Sequence, residues 1–457
     1  MESTVAVADA EEHARKYGTQ RRRVVLSALS ARIFCFRSLI EVIARQRLPS
    51  DQAMDKAEAS KKIVRTALGI DSSVELRVER VTGGITNKLF SCDWGAPTDQ
   101  NKVLVRWFGA EGLIDREVEN RVFAWLADSK IAPPLKGLFD GGRVEGWLHG
   151  FRPLKLDEMP LVTDSVARAM AQLHTLPIDD DDLAARFGTG APVALWGDLQ
   201  SWFDQASSLE RTAACASGRG RGGADASAAD SAAAGGPAKM LTSAERAAYA
   251  AFDFARLAQR MARLKEEILA AHAGDASASA FCHNDLLCNN IMVQRDGAGR
   301  LAVKLIDFEY GGSNYCAFDI ANHLNEWTGG TLELTPAELA AGVVKPGYNG
   351  VMDFAGRAAS PAQVRAMCAA YLRAARAVEA EATGGDSSGA RAAAADTATE
   401  LETLLRRVEL CMELNHVYWG VWAVNMAFSA GCAAFDYMAF ATSRLAQIDI
   451  APTAGPP

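Results

Sequence analysis

One short run, residues 281–292, constrains the fold more than any other part of the chain. It reads Phe-Cys-His-Asn-Asp-Leu-Leu-Cys-Asn-Asn-Ile-Met and is followed by a second apolar run that ends at Asp307. Short apolar runs separated by turn residues such as 296–299 are typical of buried strands. The pattern therefore predicts strand, polar loop, strand, turn and strand, with Asp285 and Asn290 in the polar loop.

Two carboxylates and one carboxamide at these positions predict phosphoryl-transfer chemistry. The spacing His-x-Asp-x4-Asn is similar to the catalytic loop of kinases, where the Asp accepts the proton of the attacking hydroxyl and the Asn binds magnesium. Asp307 stands where that fold has a second metal-binding Asp, although the triplet here is Asp-Phe-Glu. Each residue alone could be a helix cap, a turn residue or a strand-end cap. All three at these offsets favour a catalytic loop.

Charge and cysteine content limit the other classes of function. The 457 residues carry a formal net charge of −8, which argues against nonspecific nucleic-acid binding because that requires a basic face. The nine cysteines show no paired C-x-x-C arrangement and suit the reducing cytosol, so we expect a cytoplasmic protein. No window of the sequence approaches the apolar length of a membrane span.

The order of the periodic segments predicts an α+β, kinase-like bilobal fold. A small N-terminal lobe with an antiparallel sheet is expected at residues 54–152, and it would bind the nucleotide. A larger, mostly helical C-terminal lobe is expected at residues 153–448, and it would hold the catalytic loop.

Four segments fall outside these two lobes. Residues 211–240 and 382–399 have almost no large apolar side chains and look like low-complexity insertions, although an alanine-rich helix is an alternative near the end of the second. Residues 1–53 form an N-terminal extension that is disordered or helical. Its amphipathic run could be a membrane-surface or targeting helix, but acidic residues upstream favour a dispensable extension. Residues 449–457 are expected to be a disordered tail.

The small lobe contains candidate nucleotide ligands. Two glycines and two small polar residues predict a hairpin turn whose N–H groups can approach phosphates: Gly83, Gly84, Thr86 and Asn87. Arg106 ends an alternating strand, where a kinase-like fold needs a cation for the phosphates. A helix at 115–127 offers Glu117 or Glu119 to orient that cation. The alternative is a surface arginine and an exposed glutamate.

Two tryptophans suggest a site for a cationic substrate. Trp419 and Trp422 are three residues apart, so they share one face of a helix. Aromatic residues at this spacing usually belong to the core, and the neighbouring apolar residues would bury this helix nearly all round. Indole faces are also the best cation–π partners. Core packing and ligand contact are both compatible with the spacing.

Taken together, these motifs resemble the choline/ethanolamine kinase family. The resemblance covers roughly residues 56–205 and 243–448. It rests on runs that begin at the following residues: Gly83, Leu113, His283, Ile306, Asn314 and His416. The last run, His-Val-Tyr-Trp-Gly-Val-Trp, narrows the resemblance from kinase-like phosphotransferases in general to this family.

The resemblance implies ATP and magnesium as cofactors and assigns a role to each candidate. Asp285 would be the catalytic base, and Asn290 and Asp307 would bind magnesium with support from Glu309. The residues implied in ATP binding are Gly83, Gly84, Thr86, Asn87 and Arg106, with Glu119 orienting Arg106. The residues implied in the amine pocket are Glu326, Trp419 and Trp422.

Within this family, the resemblance favours the ethanolamine branch. Leu287 replaces a glutamine that choline kinases usually carry, and the segment Thr328–Thr331 has no aromatic residue where choline kinases place a tyrosine. The expected reaction is the phosphorylation of ethanolamine by ATP, the first step of the CDP-ethanolamine route to phosphatidylethanolamine.

Several alternatives stay open. The chain could be a choline kinase or a dual kinase. A phosphotransferase acting on aminoglycosides or methylthioribose is disfavoured by the Trp-Gly-Val-Trp run, and a protein kinase by the lack of Ala-Pro-Glu after Asp307. A non-catalytic, kinase-like scaffold would predict loss of Asp285, Asn290 or Asp307, and all three are present. The expected partners are small molecules, with no nucleic acid and no stable membrane span, and a homodimer is left open.

Overall fold

The computed structural model describes two compact units. The described residues are 55–81, 87–96, 100–109, 115–188, 193–217, 241–295, 297, 299, 301–383, 394–428 and 435–448. The first unit comprises residues 1–109 and 135–147, and the second comprises residues 110–134 and 148–457.

The first unit is built on an antiparallel sheet of five strands in the order β1-β2-β3-β5-β4. The strands are β1 (Leu76–Val81), β2 (Lys88–Trp94), β3 (Lys102–Trp107), β4 (Leu135–Phe139) and β5 (Gly142–Gly146). Strands β1 and β2 pair with Val81 opposite Leu89, so residues 82–87 join an antiparallel pair. The sequence predicted both the hairpin and the strand that ends near Arg106, and both are confirmed.

One helix covers this sheet. Helix α1 (Lys56–Leu68) begins at Asp55, whose side chain accepts the N–H of Ala57, and ends at Gly69, which has a φ of 65°. Glycine adopts this left-handed conformation without the steric penalty that a Cβ brings. The buried core of the unit combines one face of the helix with alternate strand residues: Ile63, Val64, Leu76, Phe90, Cys92, Val103, Val105 and Val144.

The second unit has two small sheets around the predicted catalytic loop. Its strands are β6 (Arg152–Pro153), β7 (Ser279–Cys282), β8 (Ile291–Arg295), β9 (Leu301–Leu305) and β10 (Gly312–Tyr315). Strands β6, β8 and β9 form one antiparallel sheet, and β7 pairs with β10 in another. The predicted order of strand, polar loop, strand, turn and strand is therefore confirmed as β7, loop, β8, turn and β9.

Helices make up most of the second unit. They are α2 (Arg116–Asp128), α3 (Thr163–His174), α4 (Asp181–Phe187), α5 (Leu195–Ser217), α6 (Ser243–Ala250), α7 (Phe254–His272), α8 (Cys316–Glu326), α9 (Pro336–Ala340), α10 (Phe354–Arg357), α11 (Pro361–Thr383), α12 (Ala394–Phe428) and α13 (Tyr437–Leu445). Residues 243–272 divide into α6 and α7, because the Asp253 side chain accepts the N–H of Arg256 and starts a new helix.

Helix α12 forms the centre of this unit. It packs against α5, α7, α8 and α13, while α11 packs against both α3 and α12. Val417, Val421 and Val424 on α12 are fully buried. A helix that is apolar nearly all round is buried on all sides, and this position holds the tryptophan pair in the interior of the unit.

The segments predicted to lie outside the two lobes are only partly described. Helix α5 continues to Ser217 and α11 to Thr383, both inside the predicted insertions, and α12 begins at Ala394. The extension 1–53, the tail 449–457 and residues 82–86 of the hairpin turn lie outside the described residues. Among the described helices, none combines the length and apolar character that crossing a bilayer demands.

Candidate active site

The loop between β7 and β8 carries Asp285 and is held by backbone hydrogen bonds to a buried carboxylate. The backbone N–H of His283 donates to Asp319 Oδ2 at 2.7 Å, and that of Asn284 donates to Asp319 Oδ1 at 2.6 Å. Asn284 has a φ of 67°, a left-handed conformation that is uncommon for residues other than glycine. The Asp319 carboxylate therefore stabilises an unfavourable turn directly before Asp285.

Asp319 is itself held by a histidine from another helix. His174 on α3 donates from Nε2 to Asp319 Oδ2 at 3.0 Å, and its Nδ1 lies 2.8 Å from the hydroxyl of Tyr371 on α11. Burial alone would lower the pKa of His174, but the neighbouring Cys316 thiol and the Asp319 carboxylate raise it to about 10. Cys282 also has its thiol within 4.8 Å of this pair. Both Asp319 oxygens already accept backbone N–H groups, so the cluster holds the loop in place.

The structure brings Asn290 against Asp285, within the loop in which the sequence analysis placed both residues. Asn290 Nδ2 donates to both the backbone carbonyl and the Oδ2 of Asp285, at 2.9 Å in each case. With its nitrogen committed to Asp285, Asn290 has its Oδ1 atom for a metal ion. Burial raises the pKa of Asp285 well above its usual range, and the carboxylates of Glu326, Asp307 and Glu309 raise it further.

Four carboxylates thus act on one another in a buried site, and two arginines are paired with them. Glu309 Oε2 lies 3.3 Å from Arg116 Nη1, which also donates to Glu119 Oε2 at 2.6 Å. Glu326 forms an ion pair with Arg444. Asp307 follows β9 with a φ of 65°, a second left-handed residue at this site. Such strained residues persist where the surrounding structure fixes them, and they are common at functional sites.

The oxygen ligands at this site fit magnesium. Mg²⁺ prefers carboxylate, carbonyl and water oxygens in octahedral geometry. Asp307 and Asn290 carry such oxygens, and both act on Asp285. Magnesium binding by these two residues, with support from Glu309, stays a prediction.

In the first unit, Arg106 has a buried partner that the sequence analysis missed. Arg106 Nε lies 2.7 Å from Glu145 Oε1, and Arg143 Nε lies 2.8 Å from the same atom. Burial alone would raise the pKa of Glu145, but the two guanidinium groups outweigh burial and lower it. Glu119 belongs to the second unit, so its role in orienting Arg106 stays a prediction.

The predicted phosphate-binding turn is described only at its last residue. Asn87 is buried, and its Oδ1 accepts the backbone N–H of Gly109 at 3.3 Å. Gly83, Gly84 and Thr86 lie outside the described residues. Nucleotide binding by this turn and by Arg106 therefore stays a prediction.

The two tryptophans on α12 lie in an aromatic cluster. The ring centroids of Trp419 and Trp422 are 5.2 Å apart with an interplanar angle of 81°. The ring centroid of Tyr310 lies 5.1 Å from that of Trp419, and the ring centroid of Tyr437 lies 5.7 Å from that of Trp422. Tyr310 directly follows Glu309 in the sequence, and the sequence analysis gave it no role. It missed Tyr437 entirely, because that residue lies on another helix and carries no local signal.

Glu326 is a buried acid whose charge acts on Asp285. It is the last residue of α8 and is 3% exposed, and its Oε2 has no hydrogen-bond partner. Burial raises its pKa, and the Arg444 guanidinium opposes that rise. The negative charge of Glu326 raises the pKa of Asp285, and that of Asp285 raises the pKa of Tyr310. Glu326, Asp285 and the Tyr310 member of the aromatic cluster are therefore electrostatically coupled.

Comparison with known proteins agrees with this arrangement. The human protein named choline/ethanolamine kinase is 27% identical over 81% of this chain and 78% of its own length. The solved structure of Plasmodium vivax ethanolamine kinase matches with a TM-score of 0.56 and 19% identity, over 87% of this chain and 83% of that one. Choline kinase from Cryptosporidium parvum matches with a TM-score of 0.58 and 18% identity, over 86% and 94%. These matches confirm the kinase-like fold.

The family model described as choline/ethanolamine kinase matches residues 78–449. That range contains every residue to which the sequence analysis gave a role in catalysis, metal binding, nucleotide binding or amine binding. It covers most of the chain, and the chain belongs to the choline/ethanolamine kinase family.

Proposed function

We propose that this protein transfers the γ-phosphate of ATP to the hydroxyl of ethanolamine. The observation that supports this best is the Oε2 atom of Glu326, a buried carboxylate oxygen without a hydrogen-bond donor. Leaving a buried acceptor unsatisfied is unfavourable, and a primary ammonium carries three N–H donors that could satisfy it. Ethanolamine phosphate would then enter phosphatidylethanolamine synthesis in the cytoplasm.

The site suits both ends of this small substrate. The ammonium group would lie against Trp419 and Trp422, whose faces attract cations, and would donate to Glu326. The hydroxyl would lie at Asp285, which accepts or orients its proton while the oxygen attacks phosphorus. The buried carboxylates favour a cation in the pocket, because their mutual repulsion falls when positive charge enters.

The phosphate end of the reaction uses the remaining predicted residues. Magnesium held by Asp307 and Asn290, with Glu309 in support, would neutralise negative charge on the transferring phosphoryl group. Arg106 and the turn at residues 83–87 would bind the nucleotide phosphates. Asn290 has a second task in this scheme, because its Nδ2 hydrogen bond fixes the orientation of the Asp285 carboxylate.

A choline kinase or dual kinase is the second candidate. The aromatic cluster favours it, because Tyr310 and Tyr437 add rings to the tryptophan pair even though residues 328–331 contribute none. A quaternary ammonium depends on such rings, since it has no N–H to donate. Selectivity between ethanolamine and choline would then depend on the N–H groups that the substrate donates to Glu326, and not on the number of aromatic rings in the pocket.

An ADP-release assay with both amines tests the proposal. We expect kcat/KM for ethanolamine to exceed that for choline by at least about tenfold, which needs about 1.4 kcal/mol of differential transition-state binding. Glu326→Gln should reduce ethanolamine turnover more than choline turnover, because the lost charge accepts hydrogen bonds from ethanolamine alone. Glu333→Gln, at an exposed position a few residues later, is the matched control. A higher kcat/KM for choline in the unaltered protein would refute the ethanolamine assignment.

A further inference from the structure

Arg444 is a fully buried guanidinium behind the amine pocket. It lies on α13 and pairs with Oε1 of Glu326, while its Nη1 donates to Asn415 Oδ1 at 3.0 Å. The guanidinium carbon also lies 4.9 Å from the centre of the Phe440 ring. These contacts hold the arginine head group from three sides, so its orientation towards Glu326 is fixed.

The ion pair between Arg444 and Glu326 is not bidentate, although arginine and carboxylate groups frequently pair in that way. In that geometry two parallel N–H groups meet both carboxylate oxygens. Here Arg444 engages Oε1, whereas Oε2 of Glu326 and Nε of Arg444 have no hydrogen-bond partner. Half of the carboxylate is therefore available to a further donor.

The groups around Glu326 leave Arg444 as the cation paired with it. Burial and the negative charge of Glu326 raise the pKa of Asp285, and burial followed by the charge of Glu326 raises the pKa of the Cys288 thiol to about 12. His416 Nδ1 lies 3.5 Å from Arg444 Nη1, and burial followed by the Arg444 charge lowers the pKa of His416 well below its usual range. The Cys288 thiol and the His416 ring are therefore neutral, and Asp285 is an acid, so none of these three groups supplies a positive charge to Glu326.

We propose that Arg444 is a positioning residue for recognition of a primary amine. By binding Oε1 it keeps the buried Glu326 carboxylate ionised and directs Oε2 to the substrate ammonium. Arg444 does not touch the substrate, so it acts entirely through Glu326. This inference rests on the proposed function, and it adds the reason why a buried glutamate can serve as a charged acceptor.

The approach of α13 to α12 depends on Gly420. A Cβ at this position would come within 2.8 Å of Leu445 Cγ and within 3.5 Å of Arg444 Cβ. Gly420 lies directly after Trp419 on the helix that carries the tryptophan pair. Gly420, one of the two residues between the tryptophans, therefore lets the helix that carries Arg444 pack close enough for Arg444 to reach Glu326.

Four variants of the full chain test the role of Arg444: Arg444→Met, Arg444→Lys, Glu326→Gln and the double variant of Arg444→Met with Glu326→Gln. Arg444→Met should raise the KM for ethanolamine at least tenfold and change kcat less than threefold. The increase should grow as the pH falls from 9 to 6, because Glu326 without its partner binds a proton more readily. Arg444→Lys should recover part of the affinity, and the KM for choline should change less than that for ethanolamine.

A structural ion pair elsewhere on α12 provides the matched control. Arg407 Nη1 lies 2.7 Å from Asp275 Oδ2, well outside the residues of the site. Arg407→Met should lower the melting temperature without moving the KM for ethanolamine or its pH dependence. An Arg444→Met variant that behaves in the same way would overturn the positioning role.

The double variant keeps the test decisive if Arg444→Met alone does not fold. It removes both charges, so no unpaired buried charge remains. If Arg444 acts only through Glu326, the double variant should match Glu326→Gln in kcat/KM within about twofold. The effects of two substitutions that disrupt the same interaction do not add. A further tenfold loss would show that Arg444 acts independently and overturn the inference. Absence of ethanolamine turnover in the unaltered protein would refute the proposed function itself, which a selective failure of the Arg444 variants would not.

Discussion

Replacing Asp319 by asparagine should loosen the catalytic loop without removing any residue that touches the substrate. The carboxylate is fully buried and accepts hydrogen bonds from the backbone of His283, the backbone of Asn284 and the ring of His174. An asparagine can keep only one acceptor oxygen. In either orientation its NH₂ group faces a backbone N–H, so at least one buried donor loses its partner.

The expected loss of stability and turnover in Asp319→Asn follows from these contacts. A buried polar group left unsatisfied costs about 1–3 kcal/mol, and a hydrogen bond to a charged group contributes about 1.5–3 kcal/mol. We therefore expect Asp319→Asn to lower the free energy of unfolding by about 3–5 kcal/mol. Because Asn284 would be released from its left-handed conformation, Asp285 should move, and displacements near 1 Å typically reduce turnover about 100-fold.

Urea unfolding and ADP release, measured on the same preparation, check both effects. Asp179→Asn is the control, since Asp179 is exposed on the same unit and the substitution is chemically identical. Nucleotide binding by the variant should be retained at temperatures where it stays folded. A stability loss below about 1 kcal/mol together with turnover within threefold of the unaltered protein would refute the role of Asp319 in holding the loop. An unpaired buried N–H should cost at least that much.

The remaining predictions concern the base, the metal, the aromatic cluster and the histidine. Asp285→Ala should reduce kcat by about 10²–10⁴-fold with nucleotide binding retained, and turnover within threefold would exclude Asp285 as the base. Asp307→Asn should shift the magnesium titration at fixed ATP to higher concentrations, since an amide replaces an anionic ligand; an unchanged midpoint and rate would remove Asp307 from the metal site. Trp422→Ala should lower kcat/KM for ethanolamine by up to about 30-fold, or about 2 kcal/mol, with melting curves separating this from destabilisation. The stability lost in His174→Gln should be greatest below pH 6.5 and vanish as the pH rises towards 10, because the raised pKa of His174 makes its ion pair stabilising only while the ring is protonated; a loss independent of pH would contradict this.

The sequence predicted the arrangement of the loop and its strands better than the surroundings of each side chain. Asp285 and Asn290 were found because the fold requires them at a fixed spacing, and short-range geometry then brings Asn290 Nδ2 within 2.9 Å of Asp285. The apolar runs on either side predicted β7, β8 and β9, since buried strands leave a clear local pattern.

Long-range pairs could not be predicted in this way. Glu326 was expected in the pocket, but its partner Arg444 lies 118 residues later, and Glu309 meets Arg116 across 193 residues. Which arginine reaches a given carboxylate depends on how the helices pack, and no periodicity reports that. Tyr437 was missed for the same reason, since its contact with Trp422 depends on the packing of α13 against α12.

The place of Arg444 in the chain has a consequence for biosynthesis. Ribosomes add about 5–20 residues per second, so the 118 residues between Glu326 and Arg444 take about 6–24 s to appear. During that interval Glu326 has no counter-ion and must stay hydrated or take up a proton. The pocket therefore closes last, when α13 docks, long after the catalytic loop has been synthesised. A chain truncated before Tyr437 should still form the sheet of the first unit, yet it should expose Glu326 to solvent and be an early target for proteolysis.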